Sequence, residues 1–176
     1  MRKDIGLTKV EVIKSYVENL YDHGKIHIEA VQDFIEAKNL DQLLAGCPDF
    51  VVDCIDDIDT KVDLLRYCHE KKLKVICSGG AGMRADPTKI LIQDLSDTKD
   101  DRLTRAVRLK LKTFGIYSGI PVIYSNERTE RDILPLMEHQ EEDPDNFRPL
   151  EKMRVRIIPV LGTMPSVFGH AIACYV

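Results

Sequence analysis

The sequence predicts an α/β fold with a largely parallel sheet flanked by helices, and three observations support this prediction. The segment 50–82 reads as a strand, an acidic turn, a helix, a second strand and a glycine-rich turn. Two strands that flank one helix form a βαβ unit, which normally lies in a parallel sheet. Further strand-like and helix-like runs follow, and a hydrophobic fraction of 44% is ordinary for a globular domain.

Length and composition exclude several classes of protein. A chain of 176 residues is expected to form one domain with a real core. The net charge of -4 excludes an overall basic nucleic-acid binder but allows a local basic patch. No apolar run is long enough to span a membrane, and the first residues lack the core of a secretory signal. The five cysteines form no CxxC pair, so we expect reduced packing residues without structural zinc or disulfides.

The first helix is predicted from Thr8 to Leu20 and carries one unusual charge. Thr8 as N-cap and Glu11 three residues later form the pattern of a capping box. Lys9 falls at the first helical position, where a cation meets the positive end of the helix dipole. Lys9 is either an exposed lysine whose unfavourable energy is screened, or a lysine aimed at an anion that this helix end attracts.

The acidic turn and the glycine-rich turn follow two neighbouring strands of the βαβ unit. In open α/β sheets, ligands bind beyond the carboxyl ends of the strands. One carboxylate, from Asp56 or Asp57, is accounted for as the N-cap of the next helix. The others, Asp53 and Asp59 among them, are either solvated or relieved of mutual repulsion by a bound cation. Carboxylates beside the glycine-lined backbone of 79–82 suit a phosphate that carries Mg²⁺.

The other regular elements follow from the spacing of apolar residues and from turn signals. A short helix is expected at 40–44, a helix from 58 onward, a cationic helix at 102–112 and a last helix from 162. We expect a charged loop at 128–150, and strands at 25–31, 50–54 (the central strand), 74–77, 89–95, 119–125 and 154–160.

The cationic helix is the one candidate for contact with nucleic acid. Its apolar stripe faces a core, and its charge comes from a set that includes Arg102, Arg105, Arg108 and Lys112. These side chains form either a solvated face or a surface for a phosphate backbone, since binding to phosphates rests on lysine and arginine.

Five motifs, in this order along the chain, carry a resemblance to a known family. They are GLTKVE at 6–11, VDCIDD at 52–57, SGGAG at 78–82 with DPT at 86–88, VIYSNE at 122–127, and RVRIIPVLG at 154–162. The chain resembles the E1-like (ThiF-type) superfamily of adenylating enzymes, and within it most closely the tRNA threonylcarbamoyladenosine dehydratases. The last motif, which continues as TMP, is similar to the eukaryotic branch.

The resemblance implies a reaction and a set of residues. These dehydratases use ATP and Mg²⁺ to adenylate the threonine carboxylate of a modified adenosine in tRNA, and ring closure then expels AMP. Lys9 falls on the family lysine that contacts the ATP phosphates, and Asp56 on the aspartate that organises Mg²⁺ and the α-phosphate. Both are implied to be catalytic, and Asp53 is implied as a further nucleotide-binding residue. Implied partners are tRNA and a second copy of the chain, in the cytoplasm or at the mitochondrial outer membrane.

The sequence departs from the family at its first unit. The glycine-rich strand-turn-helix that opens the family's domain has no match here, so we expect 1–176 to be a single partial adenylating domain with an incomplete Rossmann-like fold. We expect it to be cut at both ends and inactive alone. Two alternatives stay open, an E1-like activator of a ubiquitin-like or sulfur-carrier protein and a non-catalytic fragment. The absence of CxxC pairs favours the dehydratase over the zinc-bearing activators.

Overall fold

The computed structural model describes residues 4–21, 25–128, 141–142 and 158–176, and the chain divides into two compact units, Met1–Ile35 and Glu36–Val176. The first unit contains helix α1, Lys9–Leu20. Its predicted capping box is confirmed, because the Thr8 hydroxyl accepts from the Glu11 amide at 3.4 Å and the Glu11 carboxylate accepts from the Thr8 amide at 3.4 Å. The helix ends at Leu20, as the sequence predicts.

The strand predicted at 25–31 is wrong, because these residues have no regular structure. Alternation of apolar and polar residues determines which face each side chain would take on a strand. It does not provide the neighbouring backbone that a strand must bond to. Within the described residues, the sheet ladders join four other segments and leave this one out.

The second unit is built on a sheet of four strands in the order β1-β2-β4-β3. The strands are β1 (Val51–Asp53), β2 (Val75–Ser78), β3 (Ile90–Asp94) and β4 (Pro121–Ser125). The β1–β2 and β2–β4 pairs are parallel and the β3–β4 pair is antiparallel, which confirms a largely parallel sheet. The expectation that β1 is central is wrong for the described residues, where β1 lies at one edge. Chain order does not determine spatial order in a sheet.

Helices cover both faces of this sheet. Helix α5 (Thr163–Tyr175) buries Met164, Phe168 and Ile172 against Ile76 and Ile123. Each such buried apolar side chain contributes roughly 1.5–3 kcal/mol. Side chains that alternate to the other face of the strands meet α3 (Ile58–Lys71), which packs beside α4 (Arg102–Thr113). A short helix α2, Leu40–Leu43, precedes the sheet.

The predicted helices at 40–44, 58 onward, 102–112 and 162 onward are therefore confirmed to within a residue or two. Short 3₁₀ turns at Pro87–Lys89 and Leu95–Asp97 flank β3. Most of the charged loop predicted at 128–150 lies outside the described residues, but residues 141–142 are helical. Most of the strand predicted at 154–160 also lies outside them, and 158–160 are not a strand. No helix in the described part of the chain is long and apolar enough to cross a membrane.

All five cysteines are free, but only two are packing residues. Cys68 and Cys77 are buried, and burial raises the pKa of their thiols to about 11 and about 12. Cys47, Cys54 and Cys174 are exposed, so the expectation of burial is wrong for these three.

Candidate functional site

The carboxyl ends of three parallel strands meet at one edge of the sheet. Asp53 at the end of β1 pairs in register with Cys77, and Ser78 at the end of β2 pairs with Ile123 of β4. The acidic turn 54–57 and the glycine turn 79–82 therefore leave the sheet at the same edge, as the sequence predicts. Ligands of open α/β sheets bind at such an edge.

The family resemblance implies Asp53 as a nucleotide-binding residue, but the structure buries it against a lysine. Asp53 and Lys61 are 1% and 0% exposed, and Lys61 Nζ lies 2.7 Å from Asp53 Oδ2. Lys61 Nζ also donates to the Ser78 carbonyl at 3.1 Å and lies 3.5 Å from Cys77 Sγ. The second oxygen of Asp53 accepts from the Ile55 amide at 3.0 Å. Both oxygens of the Asp53 carboxylate are thus bonded inside the protein. Its contact with a nucleotide stays a prediction.

The other aspartates of the acidic turn separate into distinct roles. Asp57 is the N-cap of α3, accepting from the Thr60 amide at 2.9 Å, and this hydrogen bond lowers the pKa of its carboxyl. Asp59 forms an exposed ion pair with Lys110 of α4. Asp56 is exposed, and none of the ion pairs or hydrogen bonds recorded among the described residues involves it. Asp56 is therefore the one carboxylate of this turn that is left for an external ligand.

Donor chemistry at this turn suits a metal that arrives with a nucleotide. Within the described ranges, no three His, Cys, Asp or Glu side chains are grouped so that they would hold a metal ion by themselves. Mg²⁺ usually keeps several waters and is bound by one or two carboxylates together with substrate phosphates. A single exposed carboxylate at Asp56 fits that pattern and does not fit a metal cage built by the protein alone.

The glycine turn is explained in part by packing. A Cβ at Gly79 would lie 2.9 Å from Tyr124 Cβ, closer than real Cβ atoms approach, and a tight 3.1 Å from Thr104 Cγ2. The Gly79 amide donates to the Ile123 carbonyl at 2.7 Å. Glycine at this position lets β2 and β4 run on side by side beneath α4. Packing therefore accounts for glycine at this position, before any contact with a phosphate is considered.

A second buried ion pair, Arg84 with Asp101, stands beyond the glycine turn. The side chains are 7% and 3% exposed, with 3.7 Å between Arg84 Nη2 and Asp101 Oδ2. Arg84 Nη2 also donates to the Asp100 carbonyl at 2.8 Å, and Asp101 caps α4 by accepting from the Thr104 amide at 2.7 Å. Arg84 Nε and Nη1 are buried, and no residue in the described part of the chain gives them a hydrogen-bond partner.

Two further carboxylates at this edge are occupied by backbone amides. Glu127 accepts from Ala85 and Asp86 at 2.8 and 2.9 Å, and these bonds lower the pKa of its carboxyl. Asp86 accepts from the Thr88 hydroxyl and amide, at 2.5 and 2.9 Å, which lowers its pKa as well. Both side chains shape the segment that leads into β3.

Lys9 is the first residue of α1, the helical position that the sequence predicts. It belongs to the unit Met1–Ile35, whereas Asp53 and Asp56 belong to Glu36–Val176. The structure therefore places Asp53 and Asp56 at one edge of the sheet. That Lys9 acts together with them stays a prediction.

The cationic helix does not present all of its predicted residues to solvent. Arg102, Arg105 and Lys112 are exposed. Arg108 instead turns inward, and its Nη1 donates to the Thr98 carbonyl at 2.7 Å and the Leu95 carbonyl at 3.2 Å. It holds the 3₁₀ turn against α4, so an inward structural bond replaces the expected solvent-facing charge.

Lys61 and Arg84 are the residues that sequence reasoning missed. For Lys61 a signal was present. It lies three residues after Ile58 and four before Leu65, so it occupies the apolar stripe of α3, and a lysine there needs a buried partner. For Arg84 no comparable periodicity exists, because it lies in an irregular segment.

Comparison with known proteins places this geometry in context. The whole chain, residues 1–176, matches the ThiF family. It is 42% identical to tRNA threonylcarbamoyladenosine dehydratase 2 of Saccharomyces cerevisiae over 98% of this chain, which is 40% of that protein. It is 31% identical to the Escherichia coli dehydratase over 72% of this chain and 49% of that one.

Solved structures show the same fold. The E. coli tRNA N6-threonylcarbamoyladenosine dehydratase, in a crystal structure with AMP, superposes with a TM-score of 0.79 at 25% identity. That match covers 99% of this chain and 65% of the E. coli chain. The same enzyme crystallised with ATP gives a TM-score of 0.80 at 24% identity. The Rossmann-like α/β architecture that the sequence predicts is therefore confirmed.

Proposed function

The chain belongs to the ThiF family, and on that premise we propose that it takes part in the ATP-dependent dehydration of N6-threonylcarbamoyladenosine in tRNA. The observation that carries the proposal is the exposed carboxylate of Asp56, which leaves the sheet at the same edge as the glycine turn. The 42% identity to a yeast dehydratase supports the choice of this reaction within the family. Because the chain spans 40% of that relative, we propose that full activity needs residues beyond this sequence.

The proposed chemistry is a carboxylate adenylation followed by ring closure. The threonine carboxylate of the modified adenosine attacks the α-phosphorus of ATP, and pyrophosphate leaves. Ring closure on the activated carboxyl group then expels AMP. Negative charge builds on the phosphate oxygens as pyrophosphate departs, and cations stabilise it.

Two residues supply that stabilisation in our proposal. The Lys9 ammonium, at the start of α1, interacts with the phosphates of ATP. The Asp56 carboxylate would hold Mg²⁺, which when bound would supply positive charge to the phosphates. For Asp53 the burial against Lys61 favours a supporting role over direct contact with the nucleotide.

Helix α4 is the proposed tRNA surface, with one change from the sequence-based set. Arg102, Arg105 and Lys112 are exposed and available to phosphates, whereas Arg108 is bonded to the 3₁₀ turn. Binding through such contacts weakens steeply as salt rises, because counterions are released from the nucleic acid. We propose in addition a homodimer, and a cytoplasmic or mitochondrial outer-membrane location, on the family resemblance alone.

The reaction is tested by AMP release in the full-length protein that contains this sequence. Release that depends on tRNA carrying the modified adenosine supports the dehydratase. Release only with a ubiquitin-like or sulfur-carrier protein ending in Gly-Gly supports the alternative activator. No ATP binding at all, with Lys9 and Asp56 intact, supports a non-catalytic fragment.

The site residues are tested in the same assay. We expect Lys9→Ala and Asp56→Ala each to slow AMP release by about tenfold or more, on the order of 1.4 kcal/mol. Asp49→Ala, a change of another aspartate just before β1, is the matched control and should leave the rate unchanged. Wild-type rates of AMP release in both variants would contradict the assignment of Lys9 and Asp56 to the site.

A further inference from the structure

We propose that Lys61 is a positioning residue that holds the Asp56 loop in the geometry needed for Mg²⁺-ATP. This inference rests on the proposed function, because it assigns a role toward the nucleotide that the function requires. The loop 54–57 is short, and it runs from the end of β1 to the start of α3. The Lys61 side chain binds the strand end of this loop, and the main chain of the first turn of α3 fixes the helix end.

At the strand end, the tie is the buried ion pair. Lys61 Nζ binds Asp53 Oδ2 at 2.7 Å, and the other Asp53 oxygen accepts from the Ile55 amide at 3.0 Å. Asp53 is therefore clamped from one side by α3 and from the other by the loop itself. The first half of the loop has its direction set by this carboxylate.

At the helix end, the tie is the backbone of the first turn of α3. The Lys61 amide donates to the Asp57 carbonyl at 3.0 Å, and the Asp57 side chain accepts from the Thr60 amide at 2.9 Å. Asp56, the residue between the two ties, has its exposed carboxylate carried on a loop that is held on either side.

Lys61 also links the two turns at this edge of the sheet. Its Nζ donates to the Ser78 carbonyl at 3.1 Å, one residue before Gly79. One ammonium group thus fixes the position of the acidic turn relative to the glycine turn. Ligands that bridge the two turns would meet a prearranged edge, and prearrangement is what electrostatic stabilisation requires.

A contribution to stability does not by itself explain why two charges are buried at this position. Replacing a buried ion pair by apolar residues of similar volume is often neutral or stabilising, so such a pair is weak evidence for stability. The ammonium ion does what a methyl group cannot, because it joins three acceptors at once with directional bonds. A role in positioning accounts for the charges.

The experiment measures ATP affinity by calorimetry in the full-length protein that contains this sequence, first with Mg²⁺ and then after removal of divalent ions with EDTA. The decisive variant is the double substitution Lys61→Met with Asp53→Asn, which removes both charges together and so avoids a buried unpaired ion. Lys61→Arg keeps the charge, and Asp56→Ala removes the proposed metal ligand. Thermal unfolding is recorded for every variant.

We expect the double variant to unfold within a few degrees of wild type. Its ATP affinity should fall by about tenfold or more with Mg²⁺ and by less than about threefold without it. Lys61→Arg should retain most of the affinity that depends on Mg²⁺. A purely structural pair predicts no such dependence on the metal.

The outcomes separate this inference from the proposed function. A double variant that keeps wild-type affinity while Asp56→Ala loses it overturns the positioning role and leaves the function standing. Equal losses with and without Mg²⁺ overturn it too, since they indicate general damage to the site. Wild-type affinity in Asp56→Ala, or no ATP binding by the unmodified protein, removes the site assignment and the inference together.

Discussion

The two buried ion pairs at the carboxyl edge of the sheet differ in how completely their hydrogen bonds are satisfied. Lys61 and Asp53 approach to 2.7 Å, and the ammonium group has two further neighbours within 3.5 Å. Arg84 Nη2 and Asp101 Oδ2 stand 3.7 Å apart, and two of the guanidinium nitrogens are buried with no partner among the residues that the structure describes. Each pair connects a turn at the end of a parallel strand to a helix on the same face.

This difference predicts at which pair a single substitution lowers the free energy of unfolding more. Removing one member of a complete buried pair leaves a charge with the full cost of its desolvation. Removing Arg84 also removes two buried donors for which the described ranges hold no partner, and unsatisfied buried donors cost free energy. The same kind of substitution is therefore expected to cost more at Lys61 than at Arg84, and the following changes test that ranking.

The largest effect is expected for Lys61→Met alone. It leaves Asp53, 1% exposed, as an unpaired buried charge, and such breaks cost roughly 3–5 kcal/mol. The measurement is the free energy of unfolding in urea. Adding Asp53→Asn to the same protein should restore most of the loss, and a double variant as unstable as the single one would refute this explanation.

The second largest effect on stability is expected for Gly79→Ala, at a position that lies between the two ion pairs. It follows Ser78, which accepts from Lys61, and it packs on Thr104, whose amide is capped by Asp101. The added methyl group would lie 2.9 Å from Tyr124 Cβ, and overpacking of this kind costs roughly 1–3 kcal/mol.

Gly46→Ala is the matched control, since a Cβ there meets nothing within 4 Å and the backbone needs no positive φ. Its midpoint of unfolding should stay near wild type. Equal effects of the two alanines would show that glycine flexibility, and not packing, decides the cost at Gly79.

Arg84→Met is expected to cost less than Lys61→Met, roughly 1–2 kcal/mol. It loses the bond to the Asp100 carbonyl and the weak pair with Asp101, but it also removes two unsatisfied donors. Urea unfolding of the two methionine variants side by side gives the comparison directly. A loss at Arg84 as large as that at Lys61 would contradict the ranking.

A smaller effect is expected from pH at the N-cap of α3. The amide of Thr60 lowers the pKa of Asp57, so this carboxylate contributes stability that is present above its ordinary pKa. That contribution is lost as pH falls through the lowered pKa of the folded state. Asp57→Asn, which can still cap the helix, should be less stable than wild type at pH 6, and the gap should close in strong acid. Urea unfolding from pH 6 to about 2 measures it, and a constant gap would exclude the carboxylate as the cause.

The smallest effect on stability is expected on the outer face of α4. Arg105 is exposed and Arg108 is bonded inward, so Arg105→Glu should leave unfolding unchanged and weaken tRNA binding in the full-length protein. Arg108→Gln should do the reverse, lowering stability with little direct effect on tRNA. Filter binding at several salt concentrations checks both, and unchanged affinity in Arg105→Glu would remove α4 as the tRNA surface.

Much of the fold was predictable because its signals act over a few residues. The capping box at Thr8, the N-cap at Asp57 and the apolar stripes of α3 and α4 all depend on residues three or four positions apart. The βαβ unit and the acidic turn follow from the same local patterns. Where a strand needed a distant partner, as at 25–31, local alternation was not enough.

The sequence by itself determined that carboxylates and glycines would follow two adjacent parallel strands, and that Lys9 would begin a helix. Only the tertiary structure decided that Asp53 faces Lys61, that Asp56 stays exposed, and that Arg108 turns inward. The physical reason is that such contacts join different elements of the fold, as the end of β1 is joined to α3. A cap or stripe is decided by neighbours within a turn or two, whereas the partner of a buried charge is decided by which strands and helices pack together.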